Sequence, residues 1–103
     1  MDKMAMLKEI LAQNPDDAFA RYGLAMEQAN QGDTHAALAG FNELTTLNPD
    51  YTAGYQMSAQ LLIKAGRNDE AVQRLQLGIA AARRTGNTLA LNEMSNMLDE
   101  FSA

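Results

Sequence analysis

A single histidine, His35, is the chain's one residue of the type most often used as a general acid or base. It has no cysteine to activate, because the chain contains none, and a metal site needs several convergent ligands rather than one. Beside Asp33 and Thr34 it reads as an exposed residue in the first turn of a helix. Two pairs of carboxylates, Asp16-Asp17 and Asp69-Glu70, have the spacing of acid–base partners, but both pairs begin helices, where negative charge is favourable in itself. Capping accounts for them better than catalysis does. No glycine-rich phosphate loop, paired-histidine motif or nucleophile elbow occurs. The expectation is a non-enzymatic protein with no cofactor, no catalytic residue and no metal site.

The elements that would position such residues are bounded by composition. At 103 residues the chain is one domain's worth, enough to bury roughly two-thirds of the surface its unfolded form exposes. Hydrophobic residues make up 47% and charged residues 20%, a globular balance. Residues 1–10 carry Asp2, Lys3, Lys8 and Glu9, leaving an apolar run too short for a signal peptide. No stretch approaches the roughly 18 apolar residues of a membrane span. With no cysteine, a reducing cytoplasm is the expected location and no membrane is expected as a partner.

The formal net charge of -5 argues against nucleic acid, whose phosphates demand clustered cations. Charge is uneven, however. The first half is acidic, a central stretch sets Lys64, Arg67, Arg74, Arg83 and Arg84 against Asp69 and Glu70, and Glu93, Asp99 and Glu100 make the tail acidic again. Arg83 and Arg84 are read as complements to the negative end of a helix.

Punctuation then divides the chain. The only two prolines lie 34 residues apart in the same setting, Asn14-Pro15-Asp16 and Asn48-Pro49-Asp50. A residue before proline is driven out of the helical region, and an Asp after it favours a helix start. Between them Gly32-Asp33 recurs 34 residues later as Gly66-Arg67-Asn68, and Gly86-Asn87-Thr88 repeats the chemistry. Glycine supplies the left-handed stop, and Asp33 or Asn68 the next N-cap.

Six segments result, each with apolar residues at helical spacing. Met4, Leu7 and Leu11 with Ile10 mark the first. The second carries two stripes, Phe19-Tyr22-Met26-Ala29 and Leu24-Ala25, and so must meet neighbours on two sides. Ala37, Leu38, Phe41, Leu44 and Leu47 line the third. Tyr55, Ala59 and Leu62, flanked by Met57 and Leu61, line the fourth, and Ala71, Val72, Leu75, Ile79 and Ala82 the fifth. Leu91, Met94, Leu98 and Phe101 line the sixth, whose Asn92, Glu93, Asn96, Asp99 and Glu100 supply the polar outer face of a cap. Among the seven methionines, Met57 and Met94 are read as core filler, and Met26 stands between core and binding surface. The chain is therefore expected to be all-α, with about six helices stacked as antiparallel hairpins at a fixed period.

These residues resemble the tetratricopeptide repeat, a 34-residue helix pair. The match runs through Leu24-Ala25, Ala37, Phe41 and Pro49, then through Tyr55, Ala59, Leu62, Ala71 and Leu75. The small residues Ala25, Ala37, Ala59 and Ala71 let paired helices approach closely. Residues 2–13 resemble a half-repeat, with Leu7 and Pro15 spaced as Phe41 and Pro49 are, and Leu91, Met94, Ser95 and Leu98 resemble an opening helix reached after a two-residue insertion. A single domain, 1–103, follows: half-repeat 2–13, repeats 16–49 and 50–85, and a capping helix 88–101. The departures are Arg21 and Gln28 where the family prefers aromatics, Ser58 for a large apolar residue, and Arg83 for proline.

The resemblance implies an adaptor or scaffold that holds a peptide or a partner's helix in a groove lined by the opening helices. On this chain the groove residues would be Phe19, Tyr22, Met26 and Asn30, then Ala53, Gln56, Gln60, Ile63 and Lys64, and last Asn92 and Asn96. Tyr22 and Met26 would supply the apolar anchor, the alternative being that Phe19 and Tyr22 simply pack on the N-terminal helix. The amides, Gln56 and Gln60 first, could satisfy a bound backbone without demanding charge, so a neutral or apolar ligand with little salt dependence is expected. Lys64 is the one cation on that stripe, too few for the carboxylate clamp some family members carry. Gly23 marks a close approach by a neighbour or ligand. The alternative is a self-assembling structural protein, a homodimer formed through Met1, Met4 and Met6.

Overall fold

The computed structural model describes residues 2–102, with the Ser102 side chain left aside; Met1, one of the three methionines of the self-assembly expectation, lies outside the described residues. Six helices follow one another, α1 (Lys3–Gln13), α2 (Ala18–Asn30), α3 (Thr34–Leu47), α4 (Thr52–Lys64), α5 (Asn68–Thr85) and α6 (Thr88–Ser102), and no strand occurs among the described residues. They group into two compact units, Met1–Asn48 and Pro49–Ala103.

Helix ends follow the glycines and prolines. Gly32, Gly66 and Gly86 have φ of 82°, 77° and 68°, the left-handed region. After each, the next amide reaches five residues back: Asp33 to the Gln28 carbonyl at 2.9 Å, Arg67 to Leu62 at 2.8 Å and Asn87 to Ala82 at 2.9 Å. That bond closes the same helix stop three times. Asn14 and Asn48 end α1 and α3 ahead of the prolines, each amide bonding four residues back at 2.8 Å.

The starts differ more than the stops. Asp2, Asp17 and Asp33 accept from the amides of Ala5, Ala20 and Ala36, and Asn87 accepts from Ala90 before α6. Asn68 does not cap α5. The residue after Gly66 is Arg67, whose side chain instead pairs with Glu70 in the first turn. That hydrogen bond holds the Glu70 carboxyl below, and the Arg67 guanidinium above, their ordinary values. Nor does Asp50 cap α4, whose N-cap is Tyr51 with no side-chain bond. Asp50 receives Arg84 from the last turn of α5 instead, at 2.8 Å.

In the first unit α2 packs against both α1 and α3, as its two stripes require. Gly23 is the approach point toward α1: a Cβ there would sit 3.3 Å from a Leu7 methyl. Toward α3, a Cβ on Gly40 would lie 3.2 Å from that of Ala25. Ala25, Ala37, Leu38, Phe41 and Leu44 are buried, while Leu47, counted in the apolar stripe, is exposed. In the second unit Tyr55, Ala59, Leu75, Ile79, Ala82 and Met94 form the core, with Leu91, Leu98 and Phe101 packed against it. Burying such side chains is worth about 1.5–3 kcal/mol each for the large ones, which is what makes short helices stable.

Candidate functional site

The opening helices α2 and α4, with α6, carry the residues expected at a groove, and the structure treats them unequally. In the first unit Phe19 is 75% exposed in the first turn of α2. Tyr22, one turn on, is half-buried with its ring edge-on to Phe41, centroids 6.1 Å apart, and burial raises its phenol above the ordinary value. Met26 is half-buried and Asn30 exposed. Tyr22 is thus partly a core residue, leaving Phe19 as the projecting side chain of the stripe.

In the second unit a cleft of about 160 Å³ lies between α4 and the start of α6, lined by Thr52, Ala53, Gln56, Asn87, Leu89, Ala90 and Glu93. Two hydrogen bonds cross it. The Asn87 amide donates to the Thr52 hydroxyl at 3.3 Å, and the Gln56 amide donates to a Glu93 carboxylate oxygen at 2.7 Å. Since a carboxylate only accepts, the orientation of the Gln56 amide follows from its partner. Small residues, Ala53 and Ala90, lie between the two bonds in sequence, and Leu89 stands 70% exposed.

Of the expected residues, then, Ala53 and Gln56 reach the cleft. Gln60 and Lys64 lie farther along α4, exposed, with Ile63 half-buried, and Asn92 and Asn96 are exposed on α6 without lining it. Glu93 corrects the reading of the cap: it faces α4 rather than the outer side. Leu89 was missed, although a signal existed. Phe19, Ala53 and Leu89 occupy one register, 34 and then 36 residues apart, once the two-residue insertion is counted.

Behind the cleft α4 is anchored by Tyr55, whose hydroxyl donates to the Pro49 carbonyl at 2.8 Å. The Arg74 guanidinium lies 4.8 Å from the centre of the Tyr55 ring and donates to the buried Ser58 hydroxyl at 3.0 Å. Burial lowers the Arg74 guanidinium from its ordinary value, with the Tyr55 interaction opposing. His35 is exposed in the first turn of α3. Among the described residues no group of three His, Asp or Glu side chains is placed to hold a metal, and no helix is long and apolar enough to cross a membrane.

Residues 28–91 match the family model of the tetratricopeptide repeat. A TPR repeat-containing protein of Pseudomonas aeruginosa is 29% identical over 92 residues, 89% of this chain and 88% of that one. A tetratricopeptide repeat domain protein from Salinibacter ruber, solved in solution, superposes with a TM-score of 0.79 at 33% identity, over 84% of this chain and 88% of that chain. A protein of Bordetella parapertussis shares the fold, with a TM-score of 0.82 at 24% identity over 99% and 89% of the two chains. With its helix pairs recurring at 34 residues and its glycine stops repeated, this all-α chain belongs to the tetratricopeptide repeat family, whose solenoid fold generally mediates protein–protein interaction.

Proposed function

We propose that the chain is a non-enzymatic adaptor that binds an extended segment or helix of a partner protein on the faces of its opening helices. The observation that supports this is the shared register of Phe19, Ala53 and Leu89: its two large members are 75% and 70% exposed, while apolar residues elsewhere in the same helices, such as Ala25 and Met94, are buried. A large apolar side chain left exposed gains about 25 cal/mol for each Å² of apolar surface that a partner covers. Asn30, Gln60, Ile63, Lys64, Asn92 and Asn96 would border the contact rather than anchor it, and Tyr22 and Met26 would stiffen it from below.

Residues 1–103 act in this reading as a single domain of two repeats, 16–49 and 50–85, between the half-repeat 2–13 and the cap 88–101. A short repeat protein offers limited area, so weak or transient complexes burying below about 1,200 Å² are expected. The test is a partner captured from the native cell and titrated against Phe19→Ala and Leu89→Ala. Either variant should weaken binding at least about tenfold if its side chain is an anchor, with melting unchanged. Native affinity retained in both variants would refute it.

Self-assembly remains a second reading, for one reason. Met6 and Ile10, one turn apart on α1, are 49% and 38% exposed, while Met4 is half-buried. Light scattering on the free protein and on Met6→Ser separates the two readings: a dimer lost in the variant would favour assembly.

A further inference from the structure

The cleft between α4 and α6 has a chemistry that the amide-lined groove lacked. Its volume of about 160 Å³ is well below the roughly 300–1,000 Å³ of small-molecule sites, so it suits a single amino-acid side chain and not a metabolite or cofactor. Small apolar residues, Ala53 and Ala90, and the projecting Leu89 offer a surface for an alkyl chain. Beside them stands the Glu93 carboxylate. One of its oxygens is held by the Gln56 amide at 2.7 Å, and among the described residues no cation pairs with it.

We infer that this cleft receives a lysine or arginine side chain from an extended segment of a partner protein, its methylene stem along Ala53, Ala90 and Leu89 and its charged end on Glu93. The inference rests on the peptide-binding reading above and narrows it. Long cations bury their stems on apolar surface while keeping the charge at a polar partner, which this arrangement supplies. An anionic side chain would meet Glu93 as a like charge. A purely apolar one would strip water from the carboxylate and leave its remaining lone pairs unmet. The net charge of -5 adds attraction of the same sign at longer range.

The experiment pans a library of random twelve-residue peptides over the immobilised full chain, over Glu93→Gln and over the charge-reversed Glu93→Lys. Peptides selected by the native chain should be enriched in Lys or Arg, and the enrichment should vanish with Glu93→Gln and turn toward Asp or Glu with Glu93→Lys. A selected peptide should bind Glu93→Gln about three- to fivefold more weakly, the worth of a partly exposed ion pair. That difference should disappear near 1 M salt, where the screening length is about 3 Å. Enrichment without Lys or Arg, or cationic enrichment that survives both substitutions, overturns the inference and leaves the peptide-binding reading standing. No enrichment over bare support overturns both. A dimer of the free chain that dissociates on Glu93→Gln overturns the partner assignment in favour of a second copy supplying the cation.

Discussion

In the first unit, position 24 is leucine and position 40 glycine; 34 residues later the same two positions are serine and arginine. One unit places bulk on the first helix of its pair, and the other places it on the second helix. Ser58 and Arg74 are bonded to each other, with Arg74 also lying over Tyr55. A second substitution follows the same logic. Tyr55 donates to the carbonyl of Pro49, and Arg21, in the place of that tyrosine, donates to the carbonyl of Pro15, both at 2.8 Å. What the repeat preserves here is a donor at the proline carbonyl. The residue that meets the requirement can change its class.

The comparison breaks most visibly at glycine. A Cβ on Gly78 would fall 2.5 Å from the Met94 sulfur and 2.7 Å from the Tyr55 Cβ, whereas one on Gly23 meets only flexible Leu7 methyls, at 3.3 and 3.5 Å. Gly78→Ala should therefore destabilise by about 2–3 kcal/mol through overpacking. Gly23→Ala should be neutral or stabilising, because alanine gains about 1 kcal/mol of helix propensity. Urea unfolding of both variants checks the contrast, and equal midpoints would show that the two glycines do the same job.

Next in size is the exchange of bulk. Ser58→Leu alone should cost about 1–3 kcal/mol. Adding Arg74→Gly, which recreates the first unit's pair, should return at least about 0.5 kcal/mol beyond additivity. A strictly additive double mutant would mean that the two positions do not compensate.

Smaller is the proline bond. Tyr55→Phe should cost about 1 kcal/mol, the net worth of one hydrogen bond, and Arg21→Met about half that at its more exposed site, both read from thermal unfolding. The smallest effect concerns acid. The Glu70 carboxyl, held low by the hydrogen bond from Arg67, contributes stability that is fully present above the ordinary carboxylate range and is lost as pH falls through the lowered value. Glu70→Gln should flatten that part of the acid profile, read from thermal unfolding at a series of acid pH values.

The helices were legible because glycine and proline leave little freedom: the stops after α2, α4 and α5 lie where Gly32, Gly66 and Gly86 mark them. The exit of α5 shows the limit. Where α3 ends at Leu47 before Pro49, Arg83 replaces the proline, so the helix runs on to Thr85 and brings Arg84 to Asp50. A missing signal cannot announce what replaces it. The site was less readable for a geometric reason. Counting 36 residues from Gln56 arrives at Asn92, its counterpart in α6, but counterparts on neighbouring helices sit side by side. The residue that turns back toward Gln56 is the next one, Glu93.

In both units each helix packs mainly on its neighbour in sequence, α1 on α2, α2 on α3, α4 on α5 and α5 on α6. The loops that must close to form these contacts span two to four residues, so the conformational search pays little entropy before attraction repays it. Proteins of such local wiring fold in microseconds to milliseconds. A newly made first hairpin can thus close while later residues are still being added at about 5–20 per second, so that its apolar faces are covered well before synthesis ends.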